Sequence, residues 1–269
     1  MKQTIDDLRA EYAQLADLAR TLTPAQWTER SAFYGWTPWD EIAHLCFFDQ
    51  TALLSATDPD AFQRDTAALM AELASGREIS AIARAKFAPL DGPALLAHWE
   101  PVSARLTASL AVLDPKARLP WYGPSMSARS FATARLMETW AHGQDVWDVA
   151  RRRRPASDRL RHIAHIGVTT FGWSFVNRKQ PVPAVVPRVE LQPPHGGEPW
   201  TWGEADSPER VTGPALDFCL LVTQRRNLAD TALAFTDGAA RKWLPIAQCF
   251  AGEPADAPAP GVRQVAYSD

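Results

Sequence analysis

The sequence predicts a mainly α protein with a smaller α+β part: a helical stretch over residues 1–178, a small α+β domain over 179–252, and a Pro/Ala-rich tail over 253–269. Three observations carry this. Ile5, Leu8, Tyr12, Leu15 and Leu18 recur at three- and four-residue spacing, which is the period of one helix face. Thr23-Pro24-Ala25-Gln26 and Thr37-Pro38-Trp39-Asp40 repeat one helix-start grammar, with Thr as N-cap, Pro at the first helical position and Gln or Asp reaching back. Near Lys179 the pattern changes to β-branched runs set between Pro and Gly.

The elements follow in order. The first helix ends near Thr21, a short one starts at Thr23, and a second long helix spans Glu41 to Leu54 with His44 on it. Residues 58–90 read as shorter helices around Gly76 and Pro89. Pro93 opens another long helix to Leu110, with Pro101 inside it, so a kink or break is expected there. Pro120-Trp121-Tyr122-Gly123-Pro124 is a loop, after which Ser127 or Ser125 caps a helix running to Ala150. The Arg151–Arg154 run is its solvated end, favoured by the helix dipole. A further helix covers Asp158 to Val176. In the second part Val185–Leu191 and Trp200-Thr201-Trp202 form a hairpin, with Arg210-Val211-Thr212 as a short strand. Helices then cover Ala215–Gln224 and about 238–250, and the tail is expected to be extended or disordered.

Composition narrows the function. A formal net charge of -3 gives no electrostatic case for nucleic acid or an anionic membrane. No apolar run approaches the ~18 residues a membrane span needs. Cys46, Cys219 and Cys249 are an odd, scattered set with no C-x-x-C pair, which suits a reducing cytosol; a cytoplasmic protein with a small-molecule substrate is expected.

Glu138 and His142 lie four residues apart in Met137-Glu138-Thr139-Trp140-Ala141-His142-Gly143-Gln144-Asp145, so they share one helix face. Taken alone the pair is ordinary. Its setting is apolar, however, and a buried carboxylate needs a partner. His44 on the second long helix supplies a third donor, and two imidazoles with one carboxylate make a divalent-metal site with open positions. Zinc suits that donor set best, although nickel, iron or manganese also bind it. Asp145, one turn beyond His142, is expected to orient that imidazole or to act as a fourth ligand. Cys46 points about 200° around the helix from His44 and is read as core. No spacing ties His98, His162, His165 or His195 to the site. Trp39, Trp140 and Tyr122 are candidate pocket walls.

These residues also carry a resemblance. Gly35-Trp36-Thr37-Pro38-Trp39-Asp40, Ala43-His44-Leu45 and Asp49, paired with Glu138-x-x-x-His142-Gly143-x-Asp145-Val146-Trp147, resemble the DinB-like metal-binding bundle, and within it the mycothiol-dependent maleylpyruvate isomerase branch. The second half is similar to a metal-binding subfamily of that branch through Trp200-Thr201-Trp202-Gly203, Arg210-Val211-Thr212-Gly213, Thr223-Gln224-Arg225-Arg226 and Trp243-Leu244-x-Ile246-Ala247-Gln248. The resemblance implies an up-down-down-up four-helix bundle that holds zinc through His44, Glu138 and His142. It also implies a small α/β domain that closes over the site and contributes an arginine, Arg225 or Arg226. Finally it implies a low-molecular-weight thiol as co-substrate.

The chemistry expected of such a site is metal-assisted formation of a thiolate, which adds to an electrophilic carbon of a small substrate. Expulsion of the thiol after bond rotation gives isomerisation, and its retention gives conjugation. An arginine fork suits capture of a substrate carboxylate. Two other readings remain at this level. One is a metal-dependent hydrolase with Asp49 or Asp145 as base, and the other is a non-enzymatic metal- or ligand-binding protein.

Overall fold

The structure, a computed structural model, describes residues 1–268, which form two compact units, Met1–Arg152 and Arg153 onward. The first unit contains α1 (Lys2–Ala19), α2 (Pro24–Trp27), α3 (Pro38–Thr57), α4 (Pro59–Ala74), α5 (Ile79–Phe87) and α6 (Gly92–Ala111). These are followed by a two-stranded ribbon of β1 (Arg118–Leu119) and β2 (Met126–Ser127), and by α7 (Ala128–Val149). Helices α1 and α3 each pack on both α6 and α7, closing a four-helix bundle, while α4 and α5 lie against α3. Its centre is filled by Ile5, Leu8, Leu15, Ile42, Leu45, Leu95, Trp99, Leu106, Leu110 and Phe131.

The helix starts are those the sequence grammar predicts. Thr23 and Thr37 each accept from the backbone N–H three residues on, and Gln26 and Asp40 accept the N-cap N–H in return. Asp40 is also bound by Arg84 Nε at 2.6 Å. Burial raises its pKa, but the bonds from Arg84 and Thr37 outweigh this and hold the carboxyl below its usual 3.8. The folded pKa is therefore the lower one, so this cap is fully stabilising above about pH 4 and loses its contribution as pH falls further. Ser127, not Ser125, caps α7 through Ser130 N at 3.1 Å.

Pro101 lies inside α6 without ending it, because Leu95, Trp99 and Leu106 on either side are anchored in the core. The expected loop over Pro120–Pro124 joins the two strands of the β1–β2 ribbon. One sequence expectation gives way here. Asp49, considered as a catalytic base, is fully buried and serves as a structural acceptor. Its Oδ1 receives Tyr12 OH and Arg135 Nε, and its Oδ2 receives Trp99 Nε1, each at 2.8 Å. Those partners come from α1, α7 and α6, so one carboxylate joins all four bundle helices.

The second unit opens with α8 (Leu160–Thr169) and α9 (Phe171–Val176), which break at Thr170 where one helix was expected. They pack with the later elements, which moves the division of the chain from the expected 178 to residue 152. A four-stranded sheet follows in the order β4-β3-β5-β6, made of β3 (Arg188–Gln192), β4 (Trp200–Trp202), β5 (Arg210–Pro214) and β6 (Ala234–Phe235). β3 and β4 form the expected antiparallel hairpin, and β5 runs parallel to β3. Val189, Leu191 and Val211 turn inward beside α10 (Ala215–Val222). α11 (Ala239–Trp243) is shorter than expected and passes into a 3-10 turn at Leu244–Ile246.

The tail is held rather than free. Ala255 O accepts from Arg178 and Gln224, and Pro258 O accepts from Asn227. Arg263 is buried and donates to Gln224 O at 2.6 Å. Such side-chain-to-backbone bonds take the place of the apolar contacts this segment lacks. Among the described residues no helix is long and apolar enough to cross a membrane, and the three buried cysteines are in no disulfide.

Asp49→Ala would leave the Arg135 charge and two further donors buried without their acceptor. The expected loss is about 3–5 kcal/mol of unfolding free energy, measured by urea denaturation. A variant as stable as the parent would remove Asp49 from this structural role.

Candidate metal centre

The centre is built on the α3–α7 seam of the first unit. His44 lies in the second turn of α3, and Glu138 and His142 lie one turn apart on α7. Nε2 of His142 is 3.3 Å from Glu138 Oε2, and Nε2 of His44 is 3.8 Å from the same oxygen. The two imidazole rings are 4.2 Å apart between centroids. One ligand atom from each residue falls within 4.8 Å of the others. Tetrahedral zinc with bonds of about 2.0–2.2 Å sets its donors roughly 3.3–3.6 Å apart. The donor set and the 3.3 Å separation fit that requirement, and the 3.8 Å separation lies just above it and is too long for a direct hydrogen bond.

The centre is partly open. Side-chain exposure is 24% for Glu138, 14% for His44 and 8% for His142. Burial raises the Glu138 pKa, but the imidazoles of His142 and His44 and the Arg135 guanidinium outweigh it and hold the carboxyl well below the usual range. Glu138 is therefore an anion at neutral pH.

The residue that sequence reasoning missed is Glu41. Its Oε2 lies 2.7 Å from His142 Nδ1, and both side chains are buried. A carboxylate at Nδ1 keeps a proton there and turns Nε2 toward Glu138 and His44. Asp145, expected in this role, is buried and offers an oxygen within 4.8 Å of Glu41 and His142.

Aromatic rings surround the imidazoles. Trp36 stacks on His142 at 5.8 Å and lies 5.4 Å from His44, Phe33 meets His142 edge-on at 5.6 Å, and Phe48 lies 4.7 Å from His44. A tight turn delivers the first two. Trp36 N donates to Phe33 O at 2.9 Å across Tyr34 and Gly35, whose φ values of 49° and 70° are both left-handed. Glycine supplies one of these without strain. Of the candidate wall residues, Tyr122 belongs to this aromatic set, Trp140 is buried core, and Trp39 donates to Leu90 O. Cys46 is fully buried, and burial pushes its thiol up to about 12.

The remaining histidines stay outside the centre. His98 meets Gln50, His165 meets Trp202, and His195 is exposed. Arg225 and Arg226 belong to the second unit and follow α10 through a Schellman-type cap. Gln224 has φ 58°, with Gln224 N bonded to Leu221 O and Arg225 N to Leu220 O. Both side chains are buried; Arg225 donates to Thr223 O, and Arg226 donates to Arg225 O and Tyr267 OH.

Comparison with known proteins agrees with this architecture. Residues 8–147 match the family model described as the mycothiol maleylpyruvate isomerase N-terminal domain, and residues 184–235 match one described as wyosine base formation. Uncharacterized proteins of two Mycobacterium tuberculosis strains, CDC 1551 / Oshkosh and H37Rv, are each 42% identical over 250 residues, covering 93% of this chain and 96% of theirs. A crystal structure of the mycothiol-dependent maleylpyruvate isomerase superposes with a TM-score of 0.54 at 16% identity, covering 88% of this chain and 93% of that one. Its H52A mutant superposes with a TM-score of 0.51, covering 82% and 87%. At that identity the likeness concerns the fold. With more than half of its length under the first model, the chain belongs to the mycothiol maleylpyruvate isomerase N-terminal domain family.

Proposed function

We propose that this protein is a divalent-metal-dependent enzyme that uses a low-molecular-weight thiol to isomerise, or to conjugate, a small electrophile, with His44, Glu138 and His142 as the metal ligands. The observation that carries the reading is the convergence of three donors from two helices at zinc-like separations, with Glu138 and His44 still partly exposed. The family's description by mycothiol and by an isomerase supports the thiol and the reaction type. A cytoplasmic setting accords with three buried cysteines that form no disulfide among the described residues.

A divalent cation bound here supplies the Lewis acidity that brings a small thiol's pKa toward neutrality. The chain's own residues prepare the place. Glu41 fixes the His142 tautomer, Arg135 and the imidazoles keep Glu138 ionised, and the rings of Trp36 and Phe48 limit water at the imidazoles. In a drier surround each of these charge interactions is stronger than in bulk water.

Purified protein is expected to hold about one equivalent of divalent metal. His44→Ala and His142→Ala should each lose it while keeping the helical circular dichroism of the parent; full occupancy in either variant would remove that residue from the ligand set.

Glu41→Ala should weaken metal affinity about 10–100-fold, and Glu41→Gln should weaken it less, because an amide oxygen still accepts from Nδ1–H. Competition with a chromogenic chelator reads both, and parental affinity in Glu41→Ala would show that the 2.7 Å contact does not position His142.

Mycothiol should be consumed or cycled with a small activated alkene only when metal is present. A rate unchanged by chelation that strips the metal would overturn the metal-dependent reading.

A further inference from the structure

We propose that the centre accepts an uncharged, planar electrophile with an aromatic or extended apolar body, a conjugated enone being the simplest case, in preference to a dicarboxylate. This deepens the metal- and thiol-dependent reading and rests on it. The first observation is a run of ring contacts that starts on the ligand imidazoles and leads away from them. Phe48, which touches His44, lies 6.4 Å from Trp121 and 6.0 Å from Tyr122; Phe62 stacks on Trp121 at 6.1 Å and lies 5.9 Å from Tyr122. Phe33, Trp36, Phe48, Trp121 and Tyr122 are all partly exposed, so their faces bound accessible space rather than closed core. Half-covered rings beside ligand side chains suit a flat apolar guest.

The second observation is charge. Beside the imidazoles the first unit places the carboxylates of Glu41, Glu138 and Asp145. The nearby cation, Arg135, is buried and bonded to Asp49 at 2.8 Å. Even with a bound dication, three carboxylates make this an unfavourable place for two more. Arg225 and Arg226, the expected carboxylate clamp, are buried and donate to backbone carbonyls of their own unit.

The third observation is a polar handle of the right kind. The Tyr122 hydroxyl is buried where the aromatic run meets Thr51 and Asp65, and its O–H has no acceptor in hydrogen-bonding geometry among the described residues. Burial raises its pKa to about 12, so it remains an O–H donor at neutral pH. A neutral carbonyl accepts such a donor and costs little to desolvate, unlike a carboxylate.

The step balances with the thiol as sole co-reactant. The thiolate sulfur bonds to the β-carbon of a cis enone while the C=C electron pair moves onto the carbonyl oxygen. Rotation about the resulting single bond, return of the pair and departure of the thiolate give the trans enone and regenerate the thiol. If the thiol's proton instead reaches the α-carbon, the conjugate remains.

Titration calorimetry of the zinc-loaded protein with 4-phenylbutan-2-one, an unreactive neutral aryl ketone, and with succinate tests this. The ketone should bind at least about ten-fold more tightly. Trp121→Ala, whose ring contacts include neither ligand imidazole, and Tyr122→Phe should each weaken the ketone several-fold, with metal content and succinate binding unchanged. Succinate binding as tightly as the ketone, or both variants binding the ketone like the parent, would overturn the proposal. Tight ketone binding without thiol-dependent turnover of a cis aryl enone would uphold the binding preference and overturn the reaction it rests on.

Discussion

The carboxylate of Asp49 is the constraint on which the first unit depends. It sits on α3 and accepts from Tyr12 on α1, Trp99 on α6 and Arg135 on α7, so a slip of any one helix past the others would break a buried bond. Burying an ion pair is a weak source of net stability, because desolvation offsets most of the attraction. Registry is the stronger effect here. Three contacts lie along the seam: Asp49 with Arg135, His44 with Glu138, and Glu41 with His142. Residue number falls on α3 as it rises on α7, so the two helices run antiparallel. Eight residues on one and seven on the other advance by about 12 and 10 Å respectively. A structural bond therefore sets the spacing at which the proposed metal donors meet.

The same seam explains how so many ionisable groups share one buried region. Asp49 and Arg135 neutralise each other, Glu41 answers the imidazole of His142, and Glu138 is held ionised by imidazoles on one side and a guanidinium on the other. Exposure is graded: the Asp49 side chain has 0% and that of Glu138 24%. Groups that fix geometry are sealed, while the group with free valence for a cation faces outward.

Much of this was legible in the sequence where the signal is local. Thr37-Pro38 with Asp40 marks the start of α3 because an N-cap, its proline and its reciprocal acceptor are all within four residues. The Glu138/His142 pair is legible because helical periodicity fixes its geometry. Glu41 was not, since its partner is 101 residues away and nothing local distinguishes it from an ordinary acidic residue in a first helical turn. Asp49 was misread for the same reason: its three partners come from three other helices. Composition marks the tail as lacking helix and strand, which it does, but does not report the side chains of Arg178, Gln224 and Asn227 that meet its carbonyls. Pro101 does not break its helix, because a well-anchored helix overrides local propensity.

The aromatic surround and the anionic ligand set pull against each other, and the tension bears on what the centre is for. Rings such as Trp36 and Phe48 lower the local dielectric, which raises the cost of leaving Glu138 without a counter-charge. A protein seeking stability alone would do better with an apolar residue at 138, because replacing buried ions with well-packed hydrophobes is often neutral or favourable. Keeping a carboxylate there, aimed at two imidazoles and partly open, makes sense when a cation completes the set. The rings then serve a second purpose, since a cation in a dry cleft acts more strongly on what lies beside it than the same cation in water. The features that make the centre costly as a piece of core are the ones the proposed metal chemistry would use.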